Sequence, residues 1–193
     1  MSITTNGKNE MLDALDIASL SLHTAFPGST GANEVTGGSY AREAVTFGAA
    51  AAGVRALSAA CDVDVPAGSV AWAGLWAADG TTFQAYSPNG GNPLEFQVNA
   101  TTDVVSAPAH GYSDTQTIVF YGDTCPNPLV EGTVYYVRDA TTDTFKVAAT
   151  SGGAAIDLTT SGGSACLVSK ITVEVYGGAG THTISTWSIG LPN

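Results

Sequence analysis

The chain has 193 residues, 44% of them apolar and only 12% charged, with 17 acidic residues against 6 basic ones for a net charge of -11. That length holds one large domain or two small ones with a working core, and the apolar share excludes a chain disordered throughout. The cations Lys8, Arg42, Arg55, Arg138, Lys146 and Lys170 are scattered, so there is no focused basic surface for phosphate, and acidity repels anionic lipid; neither nucleic acid nor a membrane is an expected partner.

The opening "MSITTNGKNEMLDAL" has no apolar h-region, so no signal peptide is expected, and the longest apolar run, around "FGAAAAGV", is too short to span a bilayer. Thr5 or Asn6 can cap a short helix over about residues 6–16, with Met11, Leu12 and Leu15 as its apolar stripe. Everything after it reads as strands and turns. "SLSLHT" alternates Leu20 and Leu22 with polar neighbours, and "AREAVTFG" and "DVDVPAG" are short runs ending in turn residues. "VAWAGLWAA" puts Val70, Trp72 and Trp76 on one face. "QTIVFYG", "TVYYVRD" and "TFKVAAT" follow. "ITVEVYG" is expected to turn Ile171, Val173 and Val175 inward and Thr172 and Glu174 outward, and "THTISTWSIG" closes the chain.

The turn-rich segment "SPNGGNPLE", residues 87–95, cannot form a central strand, and composition shifts again at residues 160–170. The pattern predicts an all-β chain: an antiparallel β-sandwich with a short N-terminal helix, carrying an inserted small β-barrel or sandwich domain. The host would comprise residues 1–95 plus 168–193, and the insert residues 96–167.

The residues that can carry chemistry are few. His23, His110 and His182 have no G-x-S-x-G elbow and no H-E-x-x-H spacing beside them. His23 and His182 can meet if their strands pair, with Glu34 or Glu174 joining them. The plainer expectation is one hydrogen-bonded strand-end histidine and two in turns or at the surface. The glycines of "GSTGANEVTGG" lack the strand–loop–helix order of a phosphate cradle and are expected to shape turns. Glu34 and Arg42 are expected to pair across that loop, with Asn33 in an Asx-turn, and so to fix its shape. Trp72, Trp76 and Trp187 are expected in the core. Tyr112, Tyr135 and Tyr136 are candidate exposed contact aromatics, since adjacent residues of a strand face opposite sides. Asp62 and Asp64 share a face without a calcium-loop pattern and are expected in solvent. Cys61, Cys125 and Cys166 read as three small core residues of a chain made in a reducing cytosol, or as one disulfide with one free thiol. No catalytic residue, cofactor or metal is expected.

Two segments carry resemblances. Residues 9–80, with "MLDAL", "SLHT", "PGSTGANEVTGGSYAR", "VPAG" and "GLW" in order, resemble a family of small tailed-bacteriophage minor tail or tail-fibre proteins. Residues 101–162, with "AHGYSDTQTIVF", "GTVYYVRDATTDTFKVA" and "GGAAIDLT", resemble a β module recurrent in phage tail and fibre proteins. The resemblance implies a non-enzymatic virion structural protein, made in the bacterial host cytoplasm, in the tail tip or a fibre. Capsid decoration or a head fibre is the alternative, and a glycan-binding adhesion module a third. The implied partners are other virion proteins, further copies of the chain in a symmetric assembly, and a host-surface glycan.

Overall fold

The computed structural model describes residues 3–191. In chain order it contains α1 (Thr5–Asp13), β1 (Ser19–His23), β2 (Glu43–Ala44), β3 (Val54–Ala56), β4 (Cys61–Val65), β5 (Gly68–Val70), β6 (Trp72–Trp76) and β7 (Phe83–Pro88). There follow β8 (Gln97–Asn99), β9 (Val104–Ser106), β10 (Thr117–Tyr121), β11 (Val134–Arg138), β12 (Thr144–Ala148) and β13 (Leu167–Lys170). The chain ends with β14 (Glu174–Tyr176), β15 (Gly180–Ile184) and β16 (Ser188–Gly190). The architecture is all-β and antiparallel with one short N-terminal helix, as the alternation predicts. The contacts divide it into two compact units, one built from the segments up to Ser87 and from Val173 onward, the other from Pro88–Thr172.

In the first unit a four-stranded sheet runs in the order β2-β1-β6-β7, and β14, β15 and β16 return to pair with β5, β4 and β3. Leu20 and Leu22 lie opposite Leu75 and Ala73 in the β1–β6 ladder. Their face packs against Val63, Val65 and Cys61 of β4, whose five residues alternate buried and exposed. Two layers of short strands, each contributing every second residue, make the sandwich core.

The helix is shorter than its sequence suggests. The N-cap is Thr4, whose hydroxyl accepts from Gly7 N at 3.3 Å, and not Thr5 or Asn6, which lie inside the helix. At the other end Arg55 donates to the carbonyls of Leu12 and Leu15, at 3.1 and 2.8 Å, satisfying acceptors that a helix end leaves open. Only Leu12 of the expected stripe is fully buried, and Met11 is 51% exposed, because one turn of contact with β3 can cover only one row of side chains.

The "ITVEVYG" reading is out of phase. Ile171 is buried, but Val173 and Val175 are exposed, while Glu174 and Tyr176 turn toward His182. Ile171 belongs to the second unit and Val173 to the first, so the apolar alternation runs across the strand-free junction between β13 and β14. "THTISTWSIG" likewise splits into β15 and β16.

The second unit holds a six-stranded antiparallel sheet in the order β13-β10-β11-β12-β9-β8. It is open, so the barrel form expected as one alternative is not what the strands make. β8 and β13 are its edge strands, and Leu94 bridges Val168 of β13 just before β8 begins. β11 and the start of β12 alternate in burial, and their inward side chains (Tyr135, Val137, Phe145, Val147) join Ile118, Phe120, Leu158 and Val168 in one core. Phe120 meets Phe96 and Tyr135 edge-to-face at 5.2 and 6.4 Å between ring centroids.

Candidate functional site

The richest side-chain constellation lies on the second face of the β1–β6 pair. By alternation, Ser21 and His23 share that face with Trp72, Gly74 and Trp76. The one-sided burial expected of "SLSLHT" does not hold, since Ser21 and His23 are both 0% exposed. The cause is the loop that follows β1. It leaves at Thr24, makes a single 3-10 turn at Gly28–Thr30, and returns so that Glu34 bridges His23. Gly31 ends that turn with φ 72°, a left-handed conformation that disfavours a side chain, and any Cβ there would strike the Trp76 ring. Asn33 is also left-handed, at φ 59°, and its amide donates to Phe26 O at 2.8 Å across the loop; it does not form the Asx-turn expected of it. The loop thus lies on the sheet and seals it.

A hydrogen-bond relay runs beneath. Trp76 Nε1 donates to Ser21 Oγ at 2.8 Å, Ser21 Oγ lies 2.7 Å from His23 Nε2, and His23 Nδ1 lies 2.7 Å from Ala32 O. A carbonyl only accepts, so Nδ1 carries the proton and Nε2 accepts from the serine hydroxyl. All groups are satisfied with a neutral imidazole. Burial pushes the His23 pKa down, against the opposing pull of the Ala32 hydrogen bond. A serine hydroxyl bonded to a histidine nitrogen is the first half of an activated nucleophile. Here it is closed to substrate, because neither residue has any exposed surface and the histidine is oriented by a carbonyl in place of a carboxylate. The relay ties the loop to the sheet.

Above it sits the pair expected from sequence. Arg42 Nε and Nη2 bond the two Glu34 oxygens at 2.9 and 2.7 Å, and Nη1 bonds Gly80 O at 2.7 Å. Its guanidinium carbon lies 3.5 Å from the centre of the Trp76 ring. Tyr40 donates to Glu34 Oε1 at 3.0 Å and accepts from Leu22 N at 3.0 Å. Burial alone would raise the Glu34 pKa, but the hydrogen bonds from Arg42 and Tyr40 outweigh it and the carboxyl is held below its ordinary value. Burial pushes the Tyr40 phenol well above its usual range. Tyr40, Ser21 and Phe83 belong to this site and were not singled out in the sequence. The signal for Ser21 is its spacing two before His23 on a strand, which places both on one face.

Replacing Arg42 with alanine removes a bidentate contact to a half-buried carboxylate and uncovers Trp76. We expect a loss of about 1–2 kcal/mol, more than an exposed pair contributes. Thermal melting checks this, and an unchanged melting temperature with unchanged assembly would remove Arg42 from any loop-shaping role.

The other expected site residues scatter. β1 pairs with β2 and β6, and β15 with β4, so the ladders give no pairing between the strands of His23 and His182. Instead, His182 Nδ1 lies 3.1 Å from Glu174 Oε2 and 3.0 Å from Tyr176 OH, and its Nε2 is buried without a partner among the described residues. Burial lowers the His182 pKa despite Glu174. His110 lies in the turn expected of it, accepting from Tyr112 N at 2.9 Å, but is buried against Phe145; His182 lies buried within β15 and is not the turn or surface residue expected. Tyr112 and Tyr135 are buried in the core, the latter accepting from Val130 N at 2.9 Å. Only Tyr136 of the three reaches partly to solvent, because the inward phase of β11 falls on Tyr135. Asp62 and Asp64 are exposed, and Asp62 accepts from Thr183 Oγ1 at 2.6 Å. Among the described residues no group of three or more His, Cys, Asp or Glu side chains is placed to hold a metal ion. No helix among them is long and apolar enough to cross a membrane.

A pocket of about 210 Å³, lined by Thr24, Glu34, Pro66, Ser69 and Tyr176 among others, opens beside the clasp. It is smaller than the roughly 300–1,000 Å³ of ordinary small-molecule sites.

Two buried neutral histidines set an acid limit. In the unfolded chain each takes up a proton near the ordinary value of 6.5, while in the fold both resist it. The stability they contribute is present above that value and is lost as pH falls below it, until the lower folded values are passed. Urea midpoints measured across about pH 5 to 8 should fall on the acid side and be flatter in a His23→Gln variant; parallel curves would refute the assignment of His23 as neutral.

The site is a loop folded back on a β-sandwich, with Glu34, Arg42, Tyr40, Ser21, His23 and Trp76 bonded to one another or to the adjoining backbone. Residues 14–104, just under half of the chain, match the family model described as Podophage GP4 fiber I protein gp80. That stretch begins just after α1, takes in the relay and the Glu34–Arg42 clasp, and supports a phage fibre-like family for this part of the chain. No curated protein and no solved structure matches the chain.

Proposed function

We propose that this protein is a non-enzymatic structural component of a bacteriophage virion, carried in a tail fibre or at the tail tip, where it serves assembly or host contact. The observation that carries the reading is the fibre-family match over residues 14–104. The geometry supports it: the chain's most polar constellation is spent on fixing a loop, and the Ser21–His23 pair is inaccessible. Its partners are other virion structural proteins and further copies of the same chain in a symmetric array. Such an array multiplies weak contacts into firm attachment.

Immunogold labelling or cryo-electron microscopy of the particle tests this directly. Label at the tail fibres or tip is the expected result. Label distributed over the head would replace the reading with capsid decoration or a head fibre, and absence from purified particles would end it.

A further inference from the structure

The thiols of Cys125 and Cys166 lie 3.8 Å apart, sulfur to sulfur, in the core of the second unit. Cys125 follows β10 and Cys166 precedes β13, and these strands pair with Tyr121 opposite Leu167. The two cysteine segments are also tied to each other by hydrogen bonds beyond the ladder. Gly163 N donates to Thr124 O at 2.7 Å, Asn127 N to Thr160 Oγ1 at 2.8 Å, and Thr159 N to Asn127 O at 2.8 Å. The backbone is therefore held in register on both sides of the cysteines. The remaining approach of about 1.8 Å, down to the roughly 2.05 Å of a sulfur–sulfur bond, falls to the side chains.

We propose that Cys125 and Cys166 form a covalent modification site, closing to an intramolecular disulfide by exchange with a small-molecule disulfide. The Cys125 thiolate attacks one sulfur of the reagent and expels its first thiol, leaving a mixed disulfide. Cys166 then loses its proton and attacks the Cys125 sulfur, expelling the second thiol. Two electrons and two protons pass from the protein to the reagent, which leaves as two thiols. Cys125 is the attacking group because it retains 9% exposure against 3% for Cys166, and the hydrogen bond from Cys166 favours its thiolate. Cys61 sits in the core of the first unit and takes no part. The bond closes the loop from 125 to 166, restricting the unfolded chain.

The test uses the full chain, purified reduced and incubated natively with oxidised glutathione. The expected product has lost the mass of two hydrogens, yields a linked Cys125–Cys166 peptide, and still alkylates at Cys61. Its urea midpoint should lie above that of the reduced protein. Cys61→Ser should cross-link as the parent does, whereas Cys125→Ser and Cys166→Ser should not. A stable glutathione adduct at Cys125 without the linked peptide, two cysteines that remain free, or a link that appears only in urea would each overturn the proposal. The peptide map of the unsubstituted chain decides it even if a serine variant fails to fold.

Discussion

Replacing Trp76 with alanine is expected to destabilise the first unit by about 3–5 kcal/mol, the cost of deleting a large buried aromatic side chain. Trp76 is 5% exposed and has a neighbour on every side. Phe83 packs against it at 4.8 Å between centroids, Arg42 covers it at 3.5 Å, and Gly31 lies where only a residue without a side chain fits. Its indole N–H also supplies the Ser21 hydroxyl, which continues to His23. The alanine variant should therefore melt roughly 6–20 °C lower. Trp76→Phe keeps an aromatic ring on the sheet but loses the indole N–H and the outer fused-ring atoms beside Gly31; a smaller loss of about 1–3 kcal/mol is expected of it. Should Trp76→Ala melt within a degree or two of the parent, the loop is not anchored on this ring.

Gly74→Ala is expected to cost about 2–4 kcal/mol, although alanine is usually the gentlest replacement for glycine. No unusual backbone angle is involved. The reason is close approach: a Cβ at Gly74 would sit 2.5 Å from the Phe83 ring and 2.7 Å from His23 Nε2. The methyl group must displace either the ring that packs on Trp76 or the imidazole that holds Ala32, and the second choice also leaves Ser21 without its acceptor. Differential scanning calorimetry with amide exchange at residues 24–34 tests this. Faster exchange in that loop is expected, and a variant of parental stability with a protected loop would contradict the relay. Gly74 falls in "WAGLW", where composition alone makes it look like an ordinary weak point in a strand.

The β character of the chain was readable because alternation is a local property. "CDVDV" and "VYYVR" each carry their inward phase in the order of their own residues, and both strands form with that phase. The Glu34–Arg42 pair was readable for a similar reason: opposite charges eight apart flank a glycine-rich turn that brings them back together. The misplaced residues are those whose surroundings come from distant parts of the chain. Val173 and Val175 alternate as well as any core strand, yet they face solvent, because the same phase passes from one unit into the next after Ile171. Tyr112 and His110 lie in a turn-like "PAHGY" and are buried because Phe145 of β12 packs on them.

The sequence by itself determined the secondary-structure class, the presence of a short N-terminal helix, the acidic and non-basic composition, and the resemblance to phage fibre proteins. The first three depend on composition or on neighbours within a few residues, and the resemblance on the order of short motifs along the chain. Only the tertiary structure decided that β1 is buried on both faces, that Ser21, His23 and Trp76 form one relay, and that Cys125 and Cys166 touch. Those contacts join residues 55 and 41 positions apart. They exist because strand pairing and a folded-back loop bring together faces whose period records which side a residue occupies, but not what will cover it.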